Sequence, residues 1–367
     1  MLVGLHGALL AFAGATTPLF KQCDPRWGNT TMGVHGPGEQ STICHEGCAM
    51  TCVAMALRSA AYTLPSGGEI DPGTLNAWLQ SHDGYRCDRG DCNNLVLDAP
   101  DRLTGGRLRY VGEWDNTSLS VASVAANIAS AEIAYLAHVH VPTPPHGVHH
   151  FVLLTSYDNA TDTFGVLDPG FDEQRYARSA VHDYLMYEVL PHDAMVPYGY
   201  RLFKQCDPAW GSNAIVHKTI CAVGCLLTST TMMLRSKGIQ IDGEDATPAR
   251  LNAWLQSHGG YDDDDDLDEA VVAKIDPRLG WTNESMHTKP DVAWATLVAM
   301  LAGGAPVIAN VMKGRHFVLV VGYAGDGDTL YVNDPGFMRS TYSFAADCVG
   351  WRFYNVSAAP APVEGEY

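Results

Sequence analysis

The stretch TICHEGCAMTCVAMALRS, residues 42–59, indicates the fold because it occurs a second time, as TICAVGCLLTSTTMMLRS at residues 219–236. The two stretches are identical at more than half of their positions. In each, a Gly-Cys pair opens an apolar run that predicts a buried helix, at about 48–61 in the first copy. The chain therefore has a cysteine at the start of a helix twice.

The repeat extends over both halves of the chain. Three further segments recur in the same order: FKQCDPRWG (20–28) as FKQCDPAWG (203–211), LNAWLQSH (75–82) unchanged at 251–258, and HFVLLTSY…LDPGF (150–171) as HFVLVVGY…NDPGF (316–337). This order indicates a tandem repeat of a whole domain rather than a solenoid of short period. We predict a signal peptide at 1–15, a first domain at 16–196, a second domain at 197–357 and a disordered tail at 358–367.

The composition is that of a well-packed globular protein, with 46% hydrophobic and 17% charged residues. A length of 367 residues fits two domains better than a single core. The formal net charge of −18 argues against the basic surface that a nucleic acid or an anionic membrane requires. We therefore expect no nucleic-acid partner.

Several features favour a secreted or lumenal protein. The N-terminal run MLVGLHGALLAFAGATTP ends in small residues typical of signal-peptide cleavage, and the chain has 10 cysteines. Asn-x-Ser/Thr glycosylation sequons occur at Asn29, Asn116, Asn159, Asn283 and Asn355. A second uncharged run, 292–312, is broken by Gly-Gly-Ala-Pro and predicts a buried helix–turn–strand, so we expect no integral membrane segment after signal cleavage.

Helical patterns precede strand patterns in each unit. In the first unit, further helices are predicted at about 75–81 and 121–130, and strands at about 133–141, 150–157 and 163–167. N-terminal helices followed by a C-terminal antiparallel sheet define an α+β domain. The predicted fold class is therefore α+β, duplicated in tandem.

The loop after the second helix differs between the two copies. CDRGDC (87–92) predicts a small disulfide loop closed by Cys87 and Cys92, whereas the second copy has DDDDDLD (262–268). The aspartate run lacks the glycine and the distal glutamate of an EF-hand calcium loop. We expect a solvated acidic loop there and no metal ion.

Cys48 and Cys225 are candidate nucleophiles. A thiol at a helix N-terminus lies near the positive end of the helix dipole and near unpaired backbone N–H groups, which favour the thiolate. A lone cysteine in this position is nevertheless more often a buried small hydrophobe or half of a disulfide. The catalytic interpretation therefore requires a base.

Two histidine–aspartate pairs could supply that base. His150 and His316 each begin an apolar strand, and Asp168 and Asp334 follow them 18 residues later, on the other side of a turn. Residues at matched positions of a β-hairpin lie opposite one another, and such an aspartate can orient the imidazole and stabilise the imidazolium. Either residue alone is explained as a packed strand residue or a turn signal, whereas the repeated pair favours a functional role.

Gln22 and Gln205, each within FKQCDP, add a side-chain amide to the set. Such an amide could donate to a developing oxyanion together with the backbone N–H of the cysteine. A surface glutamine is the simpler interpretation of either residue alone.

The motifs FKQCDPRWG, TICHEGC and HFVLLTSY…LDPGF, with their second copies, resemble the bacteriocin-processing (double-glycine) peptidase-like family of the papain superfamily. The resemblance covers both halves. It implies a papain-like α+β fold, a peptide or protein substrate, no cofactor and no metal. It also implies, in each half, a Cys–His–Asp triad with a glutamine in the oxyanion hole: Gln22, Cys48, His150 and Asp168, then Gln205, Cys225, His316 and Asp334.

The chain departs from the family pattern beside each nucleophile. Relatives commonly continue Gly-Cys with Gly-Pro, where this chain has Ala49-Met50 and Leu226-Leu227. These side chains could narrow the groove for substrate, above all in the second copy.

Extra cysteines recur in both halves and predict the disulfides Cys23–Cys44 and Cys206–Cys221. Each disulfide would hold the glutamine loop against the start of the helix. Connectivity is not fixed by a sequence, and a Cys44–Cys48 disulfide would instead inactivate the first site.

Other classes of site fit the sequence less well. A zinc site could draw on Cys44, His45, Cys48, His146, His149 and His150, but the second copy lacks counterparts of His45, His146 and His149, so a shared site is disfavoured. No serine-hydrolase elbow and no Walker loop occur. A secreted thiol hydrolase that cleaves peptide bonds is the leading hypothesis. A non-catalytic tandem module that binds peptides or glycans and a thiol acyltransferase on the same fold remain open.

Overall fold

The computed structural model describes residues 17–33, 41–88, 91–117, 119–141, 148–190, 194, 201–282, 285–288 and 291–357. The predicted signal peptide, the predicted tail at 358–367 and the predicted domain boundary at 196/197 lie outside the described residues. The chain divides into two compact units, Met1–Pro191 and His192–Tyr367. Among the helices described, none has the length and apolar character needed to cross a membrane.

The first unit consists of helices followed by antiparallel strands. Its helices are α1 (Ile43–Glu46), α2 (Cys48–Ser59), α3 (Pro72–Ser81), α4 (Ala99–Thr104) and α5 (Val121–Ser130). Its strands are β1 (Thr31–Met32), β2 (Ser41–Thr42), β3 (Tyr85–Asp88), β4 (Asp91–Leu95), β5 (Leu108–Asp115), β6 (Ile133–Val141), β7 (Val148–Asp158), β8 (Thr163–Leu167), β9 (Arg175–Ala177) and β10 (Val181–Val189).

The second unit repeats this order. Its helices are α6 (Ile220–Val223), α7 (Cys225–Ser236), α8 (Pro248–Ser257), α9 (Glu269–Val272) and α10 (Trp294–Ala302). Its strands are β11 (Gln240–Ile241), β12 (Glu244–Asp245), β13 (Leu279–Gly280), β14 (Met286–Thr288), β15 (Val307–Val311), β16 (His316–Tyr323), β17 (Thr329–Asn333), β18 (Thr341–Ser343), β19 (Gly350–Phe353) and β20 (Asn355–Val356).

Each unit has one large antiparallel sheet of six strands. The strand order is β5-β10-β6-β7-β8-β9 in the first unit and β14-β19-β15-β16-β17-β18 in the second. The two orders are equivalent, strand for strand. The predicted α+β fold class is confirmed, and the matching sheets agree with a duplication.

The helix that carries each candidate nucleophile is buried along most of its length. In α2 every residue from Met50 to Leu57 is buried, and in α7 every residue from Leu227 to Leu234 is buried. A helix that is buried on all sides is held by packing around its whole circumference. The first residue of such a helix is therefore fixed relative to the sheet on which it packs, α2 on β7 and α7 on β16.

The repeated LNAWLQSH segment holds the loop that leads to this helix. Asn76 of α3 donates from Nδ2 to the carbonyl oxygen of Thr31 (3.0 Å) and accepts from the Tyr85 hydroxyl (2.7 Å). In the second unit Asn252 bonds a loop carbonyl and a tyrosine hydroxyl in the same way, at 2.8 and 2.9 Å. The identity of this segment in the two copies thus has a structural reason.

The loop after α3 or α8 is fastened differently in the two units. The predicted Cys87–Cys92 disulfide is present between β3 and β4. In the second unit the expectation of a wholly solvated aspartate run is wrong for Asp265, which is only 7% exposed. Its Oδ1 accepts three backbone N–H groups of residues 216–218, at 2.7 to 3.1 Å, and so satisfies donors of a segment that lies outside the helices and strands. The run is otherwise exposed, at Asp262, Asp263, Asp264 and Asp266.

Candidate active site

Cys48 is the first residue of α2, and Cys225 is the first residue of α7. Both thiols are free and partly exposed. Each cysteine follows a glycine whose backbone packs closely against the preceding short helix. A Cβ on Gly47 would lie 2.4 Å from the Ile43 carbonyl oxygen. Close packing of the backbone therefore requires the glycine of the repeated Gly-Cys pair. This glycine allows the cysteine to be the first residue of the buried helix.

His150 and Asp168 form a buried hydrogen-bonded pair in the first unit. Nε2 of His150 lies 2.7 Å from Oδ1 of Asp168. The carboxylate also accepts the backbone N–H groups of Gly170 and Phe171 (both 2.8 Å) and the hydroxyl of Tyr176 (2.7 Å). Burial raises the pKa of Asp168, but these hydrogen bonds outweigh it and lower the pKa below its usual value. The carboxyl is thus an anion with fixed orientation.

The second unit has the same network. Nε2 of His316 lies 2.7 Å from Oδ1 of Asp334, which also accepts the N–H groups of Gly336 (2.8 Å) and Phe337 (2.9 Å). The other oxygen accepts the Tyr342 hydroxyl at 2.8 Å. The pKa of Asp334 is lowered because its hydrogen bonds outweigh the effect of burial.

His150 and Asp168 are in contact, but they do not lie opposite one another in the β-hairpin as the sequence predicted. Leu153 lies opposite Leu167, and the hairpin turn is centred later in the chain than the midpoint between His150 and Asp168, so these two residues are not directly opposed despite a β-bulge further along the hairpin. The turn that follows β8 brings the carboxylate back to the imidazole instead. The second hairpin has a bulge at the equivalent place.

The imidazole of each pair also interacts with the thiol. Burial lowers the pKa of His150, but hydrogen bonds to Asp168 and Cys48 and their negative charges raise it to about 9. The pKa of His316 is raised to about 9 by the equivalent groups against the same opposing effect of burial. Since Nε2 is bonded to the aspartate, Nδ1 is the nitrogen left to face the sulfur. The three predicted residues of each triad are therefore brought together.

These raised pKa values predict a loss of stability in mild alkali. The unfolded histidines titrate near 6.5, whereas the folded ones keep their proton up to about pH 9, so the imidazolium contribution is complete below pH 6.5 and is lost as the pH rises through about 9. Denaturant unfolding near pH 6.5 and near pH 8.5 measures this loss. We expect a His150→Gln/His316→Gln protein to lose less stability over the interval than the native protein. Equal losses in the two proteins would contradict the charged pairs.

The two glutamines lie at the start of the nucleophile helices. Nε2 of Gln22 donates to the Cys44 carbonyl oxygen (2.6 Å), and Nε2 of Gln205 donates to that of Cys221 (2.7 Å). An amide nitrogen has two N–H groups, so one remains for another acceptor. Both glutamines are only 7% exposed, and their Oε1 atoms have no hydrogen-bond partner among the described residues.

The glycine of each Asp-Pro-Gly turn sits between the glutamine and the histidine. A Cβ on Gly170 would lie 2.8 Å from Cε1 of His150 and 3.5 Å from Oε1 of Gln22. A Cβ on Gly336 would meet the equivalent atoms at 2.9 and 3.3 Å. Only glycine lets the turn approach the imidazole this closely, which places the glutamine and the histidine on one side of the same turn.

Both predicted disulfides beside the glutamines are confirmed. Cys23 pairs with Cys44 and Cys206 pairs with Cys221, with Cα atoms 4.1 and 4.2 Å apart. The alternative Cys44–Cys48 disulfide is therefore wrong, and the Cys48 thiol is free.

Sequence reasoning missed the lysine of FKQC. Nζ of Lys21 donates to the carbonyl oxygens of Asp168 (3.1 Å) and Phe171, and the backbone N–H of Gln22 donates to Pro169 (2.9 Å). Lys204 makes the same two contacts in the second unit, at 2.7 and 2.8 Å. The lysine thus ties the glutamine loop to the turn that carries the aspartate. The one sequence feature that could have indicated this role is that Phe-Lys-Gln-Cys recurs unchanged in the second copy.

The phenylalanine after Asp-Pro-Gly was also missed. The ring of Phe171 meets the His150 ring edge to face at 5.1 Å between centroids, and Phe337 meets His316 at 4.9 Å. An aromatic ring in this position shields the imidazole from water on one side.

A cleft of 620 Å³ opens beside the second site. Gln205, Cys225 and His316 all line it. Leu226, which was expected to narrow the groove, forms part of its wall, and Asp265 and Arg315 add charge. The thiol, the imidazole and the glutamine of this unit therefore face a common space that can admit a ligand.

In each unit, a cysteine at the start of a buried helix lies with a histidine–aspartate pair on an antiparallel sheet. Residues 199–354 match the Peptidase_C39 like family. The match covers most of the second unit but less than half of the 367 residues. It supports a papain-like fold and a cysteine-peptidase type of function. No curated protein matches the chain.

Proposed function

We propose that each unit is a papain-like cysteine peptidase that hydrolyses peptide bonds, with Cys48 and Cys225 as nucleophiles. The observation that carries the proposal is the interaction of each thiol with a histidine that is itself bonded to a buried aspartate at 2.7 Å. A non-catalytic module would have no need for this network in both units. The family match supports the proposal for the second unit, and the equivalent contacts extend it to the first.

In the first unit, the raised pKa of His150 favours a thiolate–imidazolium pair, in which Nδ1 of His150 holds the proton that the Cys48 thiol has lost. The sulfur attacks the amide carbonyl carbon, and a C–S bond forms while the π electrons move to the oxygen. The tetrahedral intermediate collapses, the C–N bond breaks and His150 gives its proton to the leaving amine. Water, activated by His150, then attacks the thioester and releases the acid and the thiol.

Two donors are available for the oxyanion of this intermediate. One is the backbone N–H of Cys48, which at the first position of a helix has no intrahelical acceptor. The other is the second Nε2–H of Gln22. A preorganised donor of this kind contributes about 3 kcal/mol to transition-state stabilisation. Asp168 keeps Nε2 of His150 protonated, so that Nδ1 carries out the proton transfers. Gln205, Cys225, His316 and Asp334 are proposed to act alike in the second unit.

We also propose that the protein acts in the secretory pathway or outside the cell. The three disulfides are compatible with an oxidising compartment. Of the predicted sequons, Asn29, Asn159 and Asn355 are exposed, and Asn283 lies outside the described residues. Nδ2 of Asn116 donates to two backbone carbonyl oxygens at 3.1 Å, so glycosylation there would break a native hydrogen bond.

Alkylation of the native, unreduced protein tests the proposal. Cys48 and Cys225 are partly exposed thiols, whereas Cys52 and Cys348 are buried and serve as internal controls. Brief treatment with iodoacetamide near neutral pH, followed by peptide mapping, should label the first two and spare the second two. If Cys48 and Cys225 resist labelling as the buried thiols do, the non-catalytic module becomes the better hypothesis.

A second measurement separates hydrolysis from acyl transfer, which use the same thioester. A peptide library is incubated with the enzyme, with and without a small primary amine. We expect free carboxyl termini as the main products in both mixtures. Products capped by the amine, with little free acid, would identify an acyltransferase.

A further inference from the structure

Four histidines of the first unit lie together on three neighbouring strands, and the peptidase mechanism uses none of them. They are His138 and His140 on β6, His149 on β7 and His182 on β10. The ring centroids are 4.9 Å apart for His138 and His149, 5.8 Å for His138 and His182, and 6.1 Å for His149 and His182. His140 lies 5.7 Å from His149. Four imidazole rings this close together could bind a common ligand.

The strand geometry explains why these rings share one face. His138 and His140 are two residues apart on β6, and His149 lies directly opposite His140 on β7. In β10 the pairing with β6 skips His182, which makes this residue the extra one of a β-bulge. A β-bulge changes the direction in which its side chain points. Here it allows both His182 and its neighbour Asp183 to approach the cluster.

His138 has the hydrogen-bond pattern of a metal-ligating histidine. Its Nδ1 lies 3.0 Å from Oδ2 of Asp183, and its Nε2 lies 3.0 Å from Nδ1 of His149. A carboxylate on the far nitrogen fixes the tautomer and the orientation of the ring. The other oxygen of Asp183 is buried without a hydrogen-bond partner among the described residues, and Asp115 lies opposite it on β5. The surroundings are therefore negative, which favours a cation.

The distances are close to those of a tetrahedral zinc ion. With Zn–N distances of about 2.0 Å, ligand nitrogens lie about 3.3 Å apart and imidazole centroids about 5 Å apart. The His138–His149 nitrogens at 3.0 Å and the ring spacings of 4.9 to 6.1 Å in the trio with His182 differ from these values by about 1 Å or less.

As placed, no three His, Cys, Asp or Glu side chains of the described residues already hold the arrangement of a metal site. In the present arrangement His138 and His149 are hydrogen-bonded to each other, with 3.0 Å between their nitrogens. An ion bound to both nitrogens would replace the shared proton, and the rings would rotate so that each nitrogen points at the ion. His149 and His182 are exposed and free to do so.

The second unit lacks every member of the cluster. His150 corresponds to His316, so Arg315 replaces His149. Because Phe317 pairs with Asn310 as Phe151 pairs with His138, Asn310 replaces His138. Gly350, opposite Asn310, replaces Asp183, and the pairing there has no bulge. The fold itself therefore does not require the four rings, and the bulge accompanies them.

We propose that His138, His149 and His182 bind one borderline divalent transition-metal ion, such as Zn²⁺, with Asp183 orienting His138 and His140 as a neighbouring imidazole. Imidazole ligands select ions of this class. The ion links β6, β7 and β10 and so stabilises the strand that carries His150.

Calorimetric titration with Zn²⁺ tests the site in the full chain with Cys48→Ala and Cys225→Ala, which removes the thiols as competing ligands. We expect one ion to bind in the first unit with a dissociation constant in the micromolar range or below, and to raise the melting temperature. Adding His149→Gln and His182→Gln should weaken binding at least tenfold and abolish the thermal shift. Both rings are exposed, so this change should leave the fold intact, and a circular dichroism spectrum checks it.

The matched control replaces His45 and His217, two exposed histidines outside the cluster, with glutamine. It should leave the affinity unchanged. The proposal is overturned if the parent chain binds no zinc, or if the His149/His182 variant binds as tightly as the control. An equal loss of affinity in both variants would also overturn it, since it would indicate weak binding spread over surface histidines.

Discussion

A chain in which Cys48 and Cys225 are both replaced by alanine is expected to hydrolyse no peptide above background. Removing the nucleophile leaves no atom to form the thioester, and loss of a nucleophile of this kind lowers kcat by about 10⁴-fold or more. Each single variant should keep the activity of the other unit. Turnover of a peptide library, followed by mass spectrometry of the products, measures each site alone and reports any difference in the bonds they cleave.

The matched control is Cys52→Ala with Cys348→Ala, which replaces two buried cysteines and leaves both candidate nucleophiles. This variant should keep the native kcat, apart from any loss of folded protein. Hydrolysis that survives in the Cys48→Ala/Cys225→Ala chain would mean that the reaction occurs elsewhere. If one single variant is as inactive as the double, only one unit is an enzyme.

Removing the disulfide beside Gln22 is expected to produce the largest loss of stability. Cys23 and Cys44 are 21 residues apart, and a cross-link over a loop of this length contributes about 3 kcal/mol to the free energy of unfolding. The Cys23→Ser/Cys44→Ser variant should also lose kcat at the first site, because the disulfide joins the glutamine loop to the residue whose carbonyl oxygen holds Gln22. Measurement in a Cys225→Ala background isolates this site.

The chain offers its own control for this experiment. The Cys87–Cys92 disulfide closes a loop of 5 residues in the β3–β4 hairpin. Its removal should cost less stability and leave kcat at the first site near the native value, since no site residue depends on it. If both double-serine variants lose kcat equally, the Cys23–Cys44 bridge has no special role in placing Gln22.

Much of the fold could be predicted because its signals are local and occur twice. The bounds of α5, β6 and β8 agree with the pattern of apolar residues, and α2 begins at Cys48 as predicted. The recurrence of Cys23 with Cys44, and of Cys206 with Cys221, was enough to predict both bridges. A repeated sequence supplies the comparison that a single copy lacks.

The rest depends on contacts between residues far apart in the chain. Nothing in the sequence near Lys21 shows that its ammonium reaches carbonyl oxygens about 150 residues away. The turn of each hairpin is not centred between the histidine and the aspartate, so His150 and Asp168 are not opposed in the sheet as their spacing predicted, although their side chains do meet. The buried carboxylate of Asp265 was hidden in an acidic run because charge patterns record composition, not burial. The catalytic roles of the eight site residues stay predictions until the cysteine variants are measured.

The loop after α3 or α8 has a consequence for how the duplicated protein responds to its surroundings. In one unit this loop is closed by a covalent S–S bond, which a reducing milieu breaks and acid leaves intact. In the other unit the loop is held by the carboxylate of Asp265, which accepts backbone N–H groups of residues 216–218. Burial raises the pKa of Asp265, but these hydrogen bonds outweigh that effect and keep the pKa below its usual value. Strong acid therefore protonates the carboxylate and loosens the loop, whereas a reductant does not affect this contact. This loop therefore responds to reduction in the first half and to strong acid in the second, while the disulfide beside the glutamine is present in both.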